Sequence, residues 1–161
     1  MIKVSFRIKS LTYICALALF SLLFSACGGS EPAAAATATP SISGVTAAPG
    51  VAVLKVYNDP KLGPILVNQN GLTLYQFQLD SKDTSECLST CAATWPPLIS
   101  KATPVNGDPS QITGKIGVIT RPDGSPQVTY NGMPLYNFTL DNRIGDTSGN
   151  GYSGLWSVVK P

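Results

Sequence analysis

Histidine is absent from the 161 residues, and methionine occurs only at Met1 and Met133. The commonest general base is therefore missing, along with the imidazole and most of the thioether ligands that metals use. A Ser/His/Asp triad is impossible, and no Gly-x-Gly-x-x-Gly leads from a strand into a helix. Charge is scarce too: Lys3, Arg7 and Lys9 lie in a segment expected to be removed, which leaves 8 basic against 9 acidic side chains. A nearly neutral chain lacks the basic stripe that a nucleic-acid partner requires. Beyond Gly50, no stretch of ten or more residues repeats its apolar positions with helical spacing.

The leader is the one long apolar run. Leu11 to Phe24, behind three basic residues, is too short to span a bilayer and has the length of a signal-peptide core. It ends in Ser25-Ala26-Cys27-Gly28, small residues before a cysteine as in a bacterial lipobox, so residues 1–26 read as a lipoprotein signal peptide and Cys27 as the acylated first residue. An ordinary cleavage site beside a free cysteine is the alternative. Residues 27–50 are almost entirely Gly, Ala, Ser, Thr and Pro, with one charge at Glu31. Such a segment buries too little apolar surface to offset the entropy of ordering it. As a flexible coil it would reach roughly 25–30 Å, a tether from lipid to domain.

From Val51 onward the chain repeats itself. Asn70-Gly71-Leu72-Thr73-Leu74-Tyr75-Gln76-Phe77-Gln78-Leu79-Asp80 returns as Asn131-Gly132-Met133-Pro134-Leu135-Tyr136-Asn137-Phe138-Thr139-Leu140-Asp141, a period of 61 that also relates Trp95 to Trp156 and Gly63 to Gly124. Short β-rich runs alternate with Asn-Gly, Asp-Pro and Pro-Asp-Gly turns. The strands expected in repeat one (about 51–100) are Val51 to Tyr57, Pro64 to Asn68, Leu72 to Leu79 and Trp95 to Ile99. Those in repeat two (about 112–161) are Gly114 to Thr120, Gln127 to Tyr130, Pro134 to Leu140 and Leu155 to Val159. The expected fold is all-β: two tandem four-stranded repeats related by a pseudo-twofold, forming a small sandwich or barrel. Whether the halves sit side by side or exchange strands stays open. Alternation along the motif makes Tyr75, Phe77 and Leu79 the core-facing set.

Cys15 leaves with the leader, so Cys87 and Cys91 remain as a pair, expected to oxidise outside the cytoplasm and fix the path from Asp80 to Trp95. Copper handling or thiol exchange is the functional alternative. Asp80 and Asp141 are expected to cap the turns after their strands, with Tyr75, Phe77, Tyr136 and Phe138 as core aromatics. An exposed aromatic platform for a sugar or peptide is the competing reading. Asp146, Ser148 and Asn150 carry oxygens at alternate positions before Gly151, like half of a calcium loop, but Ser157 stands where the closing glutamate belongs.

Both Tyr-x-Phe-x-x-Asp copies, the Cys87 to Pro97 pattern C-x-x-x-C-A-x-x-W-P-P, Gln127-Val128-Thr129-Tyr130 and Gly145-Asp146 leading to Trp156 together resemble a family of bacterial secreted or lipid-anchored repeat proteins of unknown function. The resemblance implies location and repeat structure and brings no activity. The expected role is a non-enzymatic binding or structural module, without cofactor, attached to the membrane by lipid on its extracytoplasmic side. Its protein or small-molecule partner is unnamed. The alternative is an accessory factor for extracytoplasmic redox or metal delivery through Cys87 and Cys91.

Overall fold

Residues 48–161 are described by the computed structural model; the expected signal peptide, Cys27 and nearly all of the tether lie outside the described residues. The first strand, β1 (Val53–Asp59), turns at Asp59, whose Oδ1 accepts the N–H groups of Lys61 and Leu62, and pairs antiparallel with β2 (Gly63–Val67). The motif strand β3 (Tyr75–Phe77) is followed by a single helical turn, α1 (Thr90–Thr94), and by β4 (Val105–Asn106). Repeat two supplies β5 (Ile116–Thr120), β6 (Pro126–Tyr130), β7 (Met133–Pro134), a 3-10 turn at Tyr152–Gly154, and β8 (Trp156–Val158). These form three small sheets, ordered β2-β1-β4, β3-β8 and β5-β6-β7, without a closed barrel among the described residues.

The halves exchange their last segments. β8 of repeat two pairs with β3 of repeat one, while Pro97 and Ile99 of repeat one bridge to Tyr136 and Gln127 of repeat two. Each half is tied by a ring of three backbone bonds. Leu66 N–H donates to Val159, Val159 to Leu74 and Leu74 to Leu66; in the other half Val128 donates to Leu98, Leu98 to Leu135 and Leu135 to Val128. Between the halves Tyr75 and Tyr136, equivalent residues, exchange N–H···O bonds of 2.9 and 3.0 Å, which places the local twofold between them.

Several expectations are corrected here. Trp95 to Ile99 makes isolated bridges instead of a strand, because prolines at 96 and 97 remove two ladder donors. The strand expected over Leu72 to Leu79 is regular only at Tyr75–Phe77. Asp80 N–H turns back onto Phe77 O, which points Leu79 outward at 60% exposure; Leu140 is 65% exposed after the matching turn. Leu79 is therefore not a core residue, whereas Leu74, on the opposite face, is fully buried.

Both faces of the motif ribbon are buried. Leu74 and Leu135 enter an aliphatic cluster with Leu54, Leu66, Val128 and Val159, while Tyr75 and Tyr136 enter an aromatic one. The period is also not constant. Leu66 and Val128, which occupy equivalent places in the two rings, are 62 apart, whereas Leu74 and Leu135 are 61 apart. The extra residue sits in the turns. Asn131 and Gly132, both at positive φ, make a two-residue hairpin between Tyr130 and Met133, with the glycine supplying a conformation that side chains disfavour. In repeat one Asn68 N–H instead bonds Leu72 O, and Asn68 Oδ1 accepts the Asn70 and Leu72 N–H groups across a longer turn.

Candidate functional site

The motif side chains converge on the aromatic core. Trp95 and Trp156 stack with centroids 3.8 Å apart and planes 4° from parallel. Phe138 continues the stack beyond Trp95 at 4.2 Å and Phe77 beyond Trp156 at 4.5 Å, giving four rings in the order Phe77, Trp156, Trp95, Phe138. Tyr75 meets Trp95 edge-on, and Tyr136 meets Trp156 the same way. The edge-on contacts add to the stabilisation from area alone. Gly149 permits the close approach of its loop, since a Cβ there would fall 2.7 Å from Trp95 and 2.9 Å from Tyr75.

Each tyrosine hydroxyl reaches the aspartate of the other repeat. Tyr75 Oη donates to Asp141 Oδ2 at 2.6 Å, and Tyr136 Oη donates to Asp80 Oδ2 at 2.8 Å. The remaining carboxylate oxygens hold loops: Asp80 Oδ1 accepts the Glu86 N–H and Asp141 Oδ1 the Ser148 N–H. The aspartates thus cap the loops that follow them and also tie the repeats together, a second task that lay outside the expected local cap. Burial raises both carboxyls above their ordinary range against the pull of these hydrogen bonds. Burial, reinforced by the carboxylate each phenol meets, pushes Tyr136 up to about 12 and Tyr75 higher still.

The two sites differ around this shared plan. On the Tyr136 side stands Arg121, only 4% exposed, whose Nη1 donates to Ser85 Oγ and Gln127 Oε1 and whose Nη2 donates to Cys87 O. With the Tyr136 proton committed to Asp80, Ser85 Oγ is the donor in its 2.7 Å contact with Tyr136. Gln127 completes the network by donating to Leu135 O. Among the described residues, Arg121 Nε has no hydrogen-bond partner, and its one ion-pair contact is Asp123 at 3.8 Å. Sequence reasoning missed Arg121, Ser85 and Gln127, because Arg121 precedes Pro-Asp-Gly and reads as the edge of an exposed turn.

Cys87 and Cys91 form a disulfide across the start of α1, with Cys87 buried in the aromatic cluster and Cys91 half-buried against it. Asp146, Ser148 and Asn150 take part in hydrogen bonds of their own loop region. Asp146 Oδ2 accepts the Asn142 and Arg143 N–H groups, Asn150 Oδ1 accepts that of Val158, and Ser148 gives its N–H to Asp141. Among the described residues no group of three or more His, Cys, Asp or Glu side chains could hold a metal ion, and no helix is long and apolar enough to cross a membrane.

A protein family described as a secreted repeat of unknown function matches residues 57–99 and again residues 117–160, once over each copy of the motif. No curated protein and no solved structure matches the chain.

Proposed function

Since the chain belongs to the secreted-repeat family of unknown function, we propose that it is a lipid-anchored, extracytoplasmic and non-enzymatic module for binding or structure, with its duplicated motif as scaffold. The observation that carries this reading is the reciprocal pair of Tyr–Asp bonds around a buried aromatic stack. Groups that a catalyst would have to present to a substrate are here spent on each other and on backbone N–H groups. Cys27, behind its apolar leader and before its tether, supplies the anchor. Replacing Cys27 by Ala should give an exported product without acyl label; equal labelling of the variant would refute the anchor.

A second reading, thiol exchange for redox or metal delivery through Cys87 and Cys91, draws on one feature: Cys91 is half-buried while Cys87 is buried, so an incoming thiolate could reach only one sulfur. Titration of the folded protein with mild reductant separates the two. A scaffold bridge stays closed and a carrier opens.

A further inference from the structure

Among the described residues, the two repeats differ at a sheet edge that is covered in repeat one and open in repeat two. The outer edge of β1 is occupied by β4, which runs parallel to it. Val105 N–H donates to Ala52 O, Gly107 N–H donates to Leu54 O, and Asp108 Oδ2 accepts the Val56 N–H at 2.7 Å. The counterpart of β1 is β5, since Val56 pairs with Leu66 as Val118 pairs with Val128. Ala52, Leu54 and Val56 then correspond to Gly114, Ile116 and Val118.

β5 is an edge strand, with β6 on one side and no strand on the other among the described residues. Lys115 O accepts the Asn131 N–H, so Lys115, Gly117 and Ile119 turn their backbone groups toward β6, and Ile116 and Val118 turn theirs outward. Val118 is 42% exposed. A groove of about 590 Å³ that includes Lys82, Lys115 and Asn131 lies against β5, and a second, lined by Lys101, Ala102 and Pro104, shares Gly117 and Val118 with it. An unpaired edge flanked by grooves takes an added strand: backbone bonds supply affinity, and alternate side chains enter the two grooves.

We propose that the outer edge of β5 is a strand-addition site for an extended, acidic peptide segment of a partner protein, which pairs parallel to β5 as β4 pairs with β1. The direction and the acidic character come from the chain's own example. Asp108 caps the outward N–H of Val56, and at β5 an equivalent carboxylate would cap the Val118 N–H. The grooves carry Lys82, Lys101 and Lys115 against a single acid, Asp83, which suits a negative segment. This inference rests on the binding-module reading and names its partner class.

A synthetic peptide reproducing residues 102–112 serves as probe, offered to the anchored protein purified in detergent. Saturating peptide should slow amide exchange at Val118, and the Asp108→Asn peptide should bind several-fold more weakly. Val118→Pro removes an outward donor without touching the β5–β6 ladder, as edge strands tolerate, and should abolish binding at unchanged melting temperature. Should that variant not fold, Val118→Glu keeps the donor and should weaken binding by like-charge repulsion. Unchanged exchange at Val118 under saturating peptide, or equal binding by these variants, overturns the proposal. A protein that sediments as a dimer and becomes monomeric in Val118→Pro overturns it in favour of a second copy as occupant. None of these outcomes touches the scaffold role or the anchor, which unfolding and acyl labelling read independently.

Discussion

Tyr75 donates its hydroxyl hydrogen to Asp141, 66 residues along the chain and in the other repeat, although Asp80 lies five residues away in its own motif. Tyr136 and Asp80 return the arrangement. A motif that looks local is therefore a pair of clasps between repeats, and the pairing is open to direct measurement.

In a double-mutant cycle, Tyr75→Phe and Asp141→Asn should show a coupling of about 0.5–3 kcal/mol, whereas Tyr75→Phe and Asp80→Asn should add within about 0.5 kcal/mol. Asparagine keeps one acceptor and turns the other into a donor facing a donor, so each Asp→Asn change should cost about 1–3 kcal/mol. Equilibrium unfolding of the singles and doubles decides it. Coupling within each motif instead of across the repeats would contradict the geometry.

The phenols predict an alkaline loss of stability. A folded-state pKa raised above the unfolded value gives a contribution that is complete below the unfolded pKa and lost as pH rises through the folded one. For Tyr136 that window runs from its ordinary value of 10.0 to about 12, and Tyr75 extends it upward. Tyr136→Phe should flatten the fall of melting temperature across this range. The raised carboxyls of Asp80 and Asp141 carry the same sign at lower pH: their contribution is complete below the ordinary value of 3.8 and declines as pH rises through their folded values, so both should favour the fold in mild acid.

Stacked at 3.8 Å, Trp95 and Trp156 should give an exciton couplet in far-ultraviolet circular dichroism, where the strong indole transition lies. Either Trp→Phe variant should abolish it while remaining folded. Either Trp→Ala variant should lose about 3–5 kcal/mol through the cavity it opens in the four-ring stack. A couplet that survives in one Trp→Phe variant would mean that the indoles do not pair.

Arg121 should resist conservative replacement. Its guanidinium bridges Ser85, Gln127 and the Cys87 carbonyl from two nitrogens, a fork that a lysine ammonium cannot reproduce. Arg121→Lys should destabilise the domain by about 1–3 kcal/mol, since buried acceptors lose their donors. Replacing both Cys87 and Cys91 by Ser should cost about 2 kcal/mol, the entropic value for so short a loop, and leave the protein folded. Chemical denaturation ranks the variants, and a lysine variant as stable as the parent would remove the network from the account.

Much of this was legible in the letters. The two copies of Asn-Gly-x-x-Leu-Tyr-x-Phe-x-Leu-Asp announce the duplication and β-rich texture, because turn residues and period-two alternation act over a few neighbours. Leu79 misled for the same local reason: alternation puts it inward, and only the turn that brings Asp80 to the partner tyrosine rotates it out. Arg121 misled because nothing near it in sequence predicts three buried acceptors arriving from Ser85, Cys87 and Gln127.

What the sequence alone determined is the repeat, the Cys87 and Cys91 pair and the aromatic character of the core, each written in residue type and short spacing. The tertiary structure decided that the halves exchange their last segments, that each tyrosine answers the other repeat's aspartate, and that, among the described residues, β1 is covered where β5 is open. Two identical motifs can close on themselves or on each other using the same letters. The choice depends on chain connections that bring β8 to β3 and Pro97 to Tyr136, and on a buried phenol finding its acceptor where the packing puts one.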